Sequence, residues 1–241
     1  MDRGKQCLII TATITPNSNF VVNTDSLKRR VEYLDVLKYY VSVFLGDIYF
    51  VENSGFDFSQ DEEFKRLFKN DNLFSICLPQ SNQFDKGKGY QEFDVLDEVV
   101  SKLEHKYEAF IKVSGRYLTT NFTKLITKKN RGIIIDRHLK KGVAITSFFR
   151  CKMDFYQEYL KDCYKEVDDS SGIFVEHIVY KKLKEVDKNR VDIFGVTPIY
   201  KGVSGSYGGG LNRHPLKTFL INIERKILRI KNRNELEKEF K

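Results

Sequence analysis

Residues 108–117 read Glu-Ala-Phe-Ile-Lys-Val-Ser-Gly-Arg-Tyr. The run from Ala109 to Val113 has the apolar, β-branched character of a buried strand, and Gly115-Arg116 marks the turn that ends it. Lys112, Ser114, Arg116 and Tyr117 therefore fall at the strand's carboxyl end. A buried strand that delivers two cations and a hydroxyl to its edge is built like an anion site. What the edge faces depends on the elements around it.

Working upstream, Gln91 to His105 has a helical pattern with Phe93, Leu96, Val99, Val100 and Leu103 on one face. It follows a polar loop, Pro79 to Gly89, and a strand, Leu73 to Leu78. Further back are a short charged helix (Asp61 to Phe68), a strand (Asp47 to Val51) and a long helix (Leu27 to Phe44). The chain's first strand is Cys7 to Ile14. Thr24-Asp25-Ser26 offers N-cap chemistry before the long helix. Leu27, Val31, Leu34, Leu37, Tyr40 and Val41 are its expected core face.

Downstream, Leu118 to Lys129 reads as a short helix or irregular segment. Strands follow at Gly132 to Ile135 and Val143 to Phe149, then a helix from Met153 to Tyr164. A loop at Asp168 to Gly172 leads into a helix, Ile173 to Val186, and a last strand, Val191 to Phe194. Strands alternating with helices predict an α/β fold with a mostly parallel central sheet. Such sheets bind ligands beyond the carboxyl ends of their strands. The loops at 13–19 and 52–55 are expected side by side at that edge. Residues 1–205 read as one such domain, and 206–241 as a glycine-rich hinge followed by a helix.

The chain has 241 residues, enough for one sizeable core, and a formal net charge of +8. Between Arg213 and Arg233 there are seven basic residues and one acidic, so most of the excess lies in one C-terminal segment. The remaining body is close to neutral, which speaks against a nucleic-acid-binding body. Cys7, Cys77, Cys151 and Cys163 are scattered without a C-x-x-C. They fit the reduced thiols of a cytoplasmic protein. The N-terminal apolar run, Cys7 to Ile14, is too short for a signal core or a membrane span.

Several pieces, in this order, resemble a bacterial and viral family of GT-A-like glycosyltransferases of capsule or lipopolysaccharide synthesis. They are Ile9-Ile-Thr-Ala-Thr13, Arg29-Arg30, Phe50-Val-Glu-Asn-Ser54, Gly87-Lys-Gly-Tyr90, Phe110 to Tyr117 and Phe174-Val-Glu-His177. The similarity runs over roughly residues 7 to 205, and Lys-x-Ser-Gly-Arg-Tyr is its most specific part. The resemblance implies a three-layer sandwich around a mostly parallel sheet. It also implies a nucleotide-activated sugar as donor, and a glycan or lipid-linked glycan as acceptor.

Residue roles follow position by position from that resemblance. Thr11, Thr13, Glu52 and Asn53 sit where such proteins contact base and ribose. Lys88, Ser114 and Tyr117 face the donor. The family's metal-binding D-x-D is missing from this chain, and Lys112 and Arg116 stand in its place, so cations are expected to neutralise phosphate directly. No cofactor is called for, and a divalent metal has no assigned ligands; Asp168-Asp169 reads first as a turn. Glu176 or His177 would deprotonate the acceptor hydroxyl. His has a suitable pKa unaided and Glu acquires one if desolvated. Adjacent helical residues point about 100° apart, so only one of the two faces the cleft.

In the C-terminal segment, Leu216, Phe219, Leu220, Ile223, Ile227 and Ile230 form an apolar stripe flanked by Lys217, Arg225, Lys226, Arg229 and Lys231. This basic amphipathic helix suits an anionic membrane surface on the cytoplasmic side. Packing on the body or on a second subunit is the other reading of the same pattern. The glycine-rich Ser204 to Gly210 lacks the G-x-x-x-x-G-K-S/T pattern of a phosphate loop and reads as a lid or hinge, with His214 after it. Two other function classes compete with sugar transfer. One is a non-catalytic binding protein acting through its basic tail; the other is a nucleotidyltransferase, for which no convincing carboxylate set is visible.

Overall fold

The computed structural model describes residues 6–16, 24–79, 82–126, 131–201, 216, 218–223 and 225–227. The first half of the chain is a regular strand–helix alternation: β1 (Gln6–Ala12), α1 (Ser26–Val43), β2 (Ile48–Glu52), α2 (Glu62–Leu67), β3 (Leu73–Cys77), α3 (Lys88–Leu103) and β4 (Ala109–Ser114). The second half contains β5 (Leu118–Thr119), α4 (Phe122–Leu125), β6 (Ile133–His138), β7 (Val143–Lys152), α5 (Met153–Tyr159), α6 (Val175–Lys184), β8 (Val191–Asp192) and β9 (Tyr200–Lys201).

Seven strands form one sheet in the order β3-β2-β1-β4-β7-β6-β8. All neighbours are parallel except β7, which runs antiparallel to both β4 and β6. The reason is local. β6 and β7 are joined by a single 3-10 turn, Leu139–Lys141, closed by Gly142 in the left-handed region at φ 63. A connection that short makes a hairpin, since a parallel return needs a long crossover.

Both faces of the sheet are covered. Cys7 and Ile9 of β1 point into one apolar layer with Phe93, Val99, Phe110, Phe149 and Phe155. Leu8 and Ile10 point into the other, with Tyr33, Leu37, Phe50, Phe64 and Phe148. The period-2 alternation of an all-apolar strand thus feeds two cores, as in parallel sheets sandwiched by helices. The expected α/β three-layer sandwich is the architecture present.

Four expectations need correction. The segment after β4 is a two-residue strand paired with β9, followed by the single turn α4. The helix at Met153 stops at Tyr159, because Asp162 turns left-handed (φ 62) and its N–H is taken by Asp97 Oδ2 at 2.6 Å. α3 begins at Lys88, three residues before the expected start. On α1, Leu27 and Val31 are 77% and 53% exposed, and Arg29 and Tyr33 are buried instead. The boundary placed at 205/206, the glycine-rich loop and His214 lie outside the described residues, as does most of the C-terminal segment. The four cysteines are free, and all but Cys77 are buried. Among the described residues no helix is long and apolar enough to cross a membrane.

Candidate functional site: a cavity at the β1/β4 switch point

The chain winds outward from β1 through β2 to β3, then returns to place β4 on β1's other side. Loops leaving β1 and β4 therefore diverge and open a crevice between the two carboxyl ends, the usual ligand position in open α/β sheets. A cavity of about 190 Å³ lies there. Thr11 and Thr13 line it from β1's end, Ser114 to Tyr117 from β4's end, and Lys88, Gln91 and Glu92 from the start of α3. Asn53 follows β2, Arg29 and Tyr33 come from α1, and Glu176 comes from α6.

The two strand-end loops are knitted together by one carboxylate. Glu52 is fully buried, and its oxygens accept the backbone N–H groups of Ile14 (2.9 Å), Ser54 (2.9 Å) and Phe56 (3.0 Å) and the Ser54 hydroxyl. Thr13 Oγ1 and Asn53 Oδ1 add a 2.6 Å bond between the loops. The loops after β1 and β2 are side by side, as expected. Glu52 itself is not in the cavity wall: it shapes the loops that Thr13 and Asn53 bring to it.

Gly115 closes the crevice floor. Its N–H donates to Thr11 O at 2.8 Å, and a Cβ there would lie 2.5 Å from that oxygen and 2.8 Å from the Tyr33 ring. Only glycine lets β4's end approach β1 this closely. The Gly87-Lys-Gly89 run has a similar cause. Gly87 sits at φ 92 with Asp169 against it, and the Asp169 carboxylate accepts the Lys88 N–H, capping α3. A Cβ on Gly89 would meet Val175 at 2.8 Å. The first contact sets the start of α3 against the 3-10 turn at Asp169–Ser171 and the second against the start of α6, which puts Lys88 and Glu176 in one wall. Asp168 meanwhile caps its own 3-10 turn through the Ser170 and Ser171 N–H groups.

The two cations at β4's end differ. Lys112 is fully buried beneath the cavity and does not line it. Its ammonium reaches Ser114 Oγ (2.9 Å), Thr146 O (2.9 Å) and Glu92 Oε1 (2.7 Å). An ammonium has three donors, and all are used. The expectation that Lys112 meets a phosphate is therefore corrected: its charge is matched internally by Glu92. Arg116 does line the cavity, with one N–H on Glu32 at 3.0 Å and, among the described residues, no other partner for its fork. Arg29, one helical turn before Tyr33, is spent on shape, donating to Thr13 O at 2.7 Å. Tyr33 donates its hydroxyl to the same carbonyl at 3.3 Å and accepts the Thr13 N–H at 2.9 Å.

Glu176 and His177 separate as helical geometry requires. Glu176 lines the cavity, while His177 packs its ring against Phe174 at 5.6 Å and does not. Tyr117 is in the wall, with its ring 5.9 Å from Tyr200. Glu92, Gln91 and Tyr33 are cavity residues that the sequence reading did not single out, and Arg29, quoted there in the resemblance, was given no site role. The Gly-x-Gly run at the start of α3 was the one available signal for Gln91 and Glu92, since it forces the first turns of that helix against other elements. Among the described residues no group of three or more His, Cys, Asp or Glu is gathered as a metal site.

No family model matches this chain, and no curated protein matches it. Solved structures similar to it include a protein named as a nucleotide-diphospho-sugar transferase from Desulfovibrio desulfuricans, at 11% identity and TM-score 0.48 over 78% of each chain. A 4-diphosphocytidyl-2C-methyl-D-erythritol synthase from Anaerococcus prevotii aligns at 14% identity and TM-score 0.44 over 93% of this chain and 97% of its own. A cytidylyltransferase from Leptospira borgpetersenii aligns at 11% and 0.42 over 78% and 75%.

Proposed function

We propose that this protein is a glycosyltransferase that binds a nucleotide-activated sugar in the β1/β4 crevice. The observation that carries the reading is the switch-point cavity itself, with Arg116 at its edge, bonded among the described residues to Glu32 alone, and Glu176 in its wall. Arg116 holds the diphosphate bidentately, and the negative charge that grows on it as the sugar leaves strengthens that contact. Lys88 adds positive charge from α3. The acceptor hydroxyl oxygen bonds to the sugar's anomeric carbon, the bond from that carbon to the phosphate oxygen breaks, and the hydroxyl proton passes to the Glu176 carboxylate. The nucleoside diphosphate departs.

A glycan or lipid-linked glycan of surface-polysaccharide synthesis is the acceptor in this reading, which places the protein on the inner face of a membrane. The support is the C-terminal helix, whose apolar side chains Leu216, Phe219 and Leu220 are each more than 60% exposed beside a basic sequence.

The test is a thermal-shift screen of nucleotides and nucleotide sugars, with and without divalent metal, followed by transfer assays with the best donor. Arg116→Ala is expected to keep the wild-type circular dichroism, because Arg116 lines the cavity and belongs to neither apolar layer. Donor affinity should fall about 10- to 100-fold, the worth of a lost charge-assisted contact. Undiminished transfer by that variant would sink the assignment of Arg116. A chelator is expected to leave activity largely intact; strict dependence on Mn²⁺ or Mg²⁺ would require carboxylate ligands instead.

A further inference from the structure

The carboxylate of Glu92 is used on one side only. Its Oε1 accepts Thr11 Oγ1 (2.5 Å) and Ser114 Oγ (3.0 Å) and pairs with Lys112 Nζ (2.7 Å). Its Oε2 takes no hydrogen bond from any described residue, although Glu92 lines the cavity. A carboxylate has room for about four donors on its two oxygens. The vacant capacity is therefore all on the oxygen left over for a ligand. Burial pushes the Glu92 carboxyl up, but Lys112 and the two hydroxyls outweigh it, and the net displacement is below the ordinary glutamate range.

An ionised carboxylate only accepts. It repels phosphate and matches a group that donates, and a neutral ring hydroxyl does this without bringing charge into the crevice. The cavity is polarised accordingly: Arg116 and Lys88 for an anionic group, Glu92 for a hydroxylated one. Gln91 beside it is 5% exposed, lines the same wall, and leaves its buried Nε2 without a partner among the described residues. Acceptor and amide together suit a diol, whose hydroxyls both donate and accept.

We propose that Glu92 Oε2 is the acceptor for a ring hydroxyl of the bound ligand, from the ribose or from the transferred sugar, and that Lys112 is the positioning residue that holds this carboxylate in place. The proposal rests on the cavity being a nucleotide-sugar site. It gives the buried Lys112 a purpose in the absence of any contact with phosphate.

The experiment is calorimetric binding of UDP, 2′-deoxy-UDP and UDP-glucose, and of the cytidine, guanosine and adenosine diphosphate counterparts. The proteins are the wild type, Glu92→Gln and Glu92→Met/Lys112→Met. The double variant removes the buried Lys112 charge together with its partner, so it tests the proposal even if Glu92→Gln, which leaves that charge unmatched, is destabilised. The wild type is expected to favour the hydroxyl-bearing ligand by about tenfold or more. That preference is ribo over deoxy if the ribose is read, and nucleotide sugar over diphosphate if the sugar is. Glu92→Gln should weaken the preference and the double variant should abolish it, while both still bind the diphosphate through Arg116.

A wild type with no preference in either arm would overturn the proposal. So would variants that keep the preference, or variants altered only in choice of base. Failure of the wild type to bind any nucleotide would overturn the parent reading, and this one with it.

Discussion

Lys112 and Arg116 stand four residues apart at the end of one strand and do different work. Lys112 lies inside β4 and faces down into the fold, so it needs a buried counter-charge; Arg116 lies past Gly115 and reaches the crevice. Local sequence shows both cations but not their partners. Glu92 is twenty residues upstream on α3, and nothing near Lys112 announces it. Asp97 is a similar case. It is 8% exposed, accepts the Tyr156 hydroxyl at 2.5 Å and the Asp162 N–H at 2.6 Å, and reads in sequence as one more helix-surface acid. Burial, only partly offset by those bonds, raises its pKa from 3.8 to about 6. Its proton is therefore held more tightly in the folded chain than in the unfolded one. The stability this confers is full below about pH 4 and is lost as the pH rises through 6. Asp97→Asn carries no such linkage. The variant's unfolding free energy relative to wild type should grow by about 2–3 kcal/mol between pH 4 and pH 7, read from urea titrations at each pH. A difference independent of pH would remove Asp97 as the titrating group.

At the scale of elements, the strongly periodic segments are legible and the irregular ones are not. β1, β2, β4 and the helices α1 and α3 fall where apolar pattern and turn residues put them, because both faces of the sheet demand apolar side chains there. On α1, though, the inward face is rotated to include Arg29 and Tyr33, since they hold the Thr13 carbonyl and amide at the cavity rim. Polar residues recruited to a site break the hydrophobic period that a reader follows. β5, β9 and α4 are too short to have any period. The Gly115 turn couples two elements. Gly115→Ala sets a Cβ 2.5 Å from Thr11 O, a backbone atom that cannot step aside without moving β1. The substitution is expected to cost about 1–3 kcal/mol in chemical denaturation and to weaken nucleotide binding as well, because Ser114 and Arg116 flank the displaced residue. Wild-type stability in this variant would mean that the strand ends are looser than their contacts indicate.

At the scale of the whole molecule, the strand–helix alternation implies a parallel sheet and a ligand at its carboxyl edge, and the cavity is there. The reversed β7 was not legible, since the antiparallel return depends on a single turn with Gly142 rather than on strand composition. The described C-terminal residues, 216, 218–223 and 225–227, show which of their sides meets the body. Asn222 accepts the Thr197 N–H at 2.7 Å, and Arg225 grips Asp136 with two bonds of 2.6 and 2.7 Å. The side turned to the body is thus polar, and Leu216, Phe219, Leu220, Ile223 and Ile227 are left 41–67% exposed.

In the proposed function this apolar side meets an anionic bilayer, because the surrounding sequence from Arg213 to Arg233 carries seven basic residues against one acidic. Two contributions should then be separable. Raising salt from about 0.1 M to 1 M cuts the Debye length from about 10 Å to 3 Å; binding to phosphatidylserine vesicles should weaken several-fold but persist. Phe219→Asp/Leu220→Asp removes the apolar term at either salt and should reduce co-sedimentation at least tenfold, with the melting temperature unchanged because neither side chain is in the core. If the variant still sediments with vesicles, the apolar face is not the membrane contact. If instead the wild type ignores vesicles and dimerises with rising concentration in the ultracentrifuge, while the variant stays monomeric, the face is covered by a second copy of the chain.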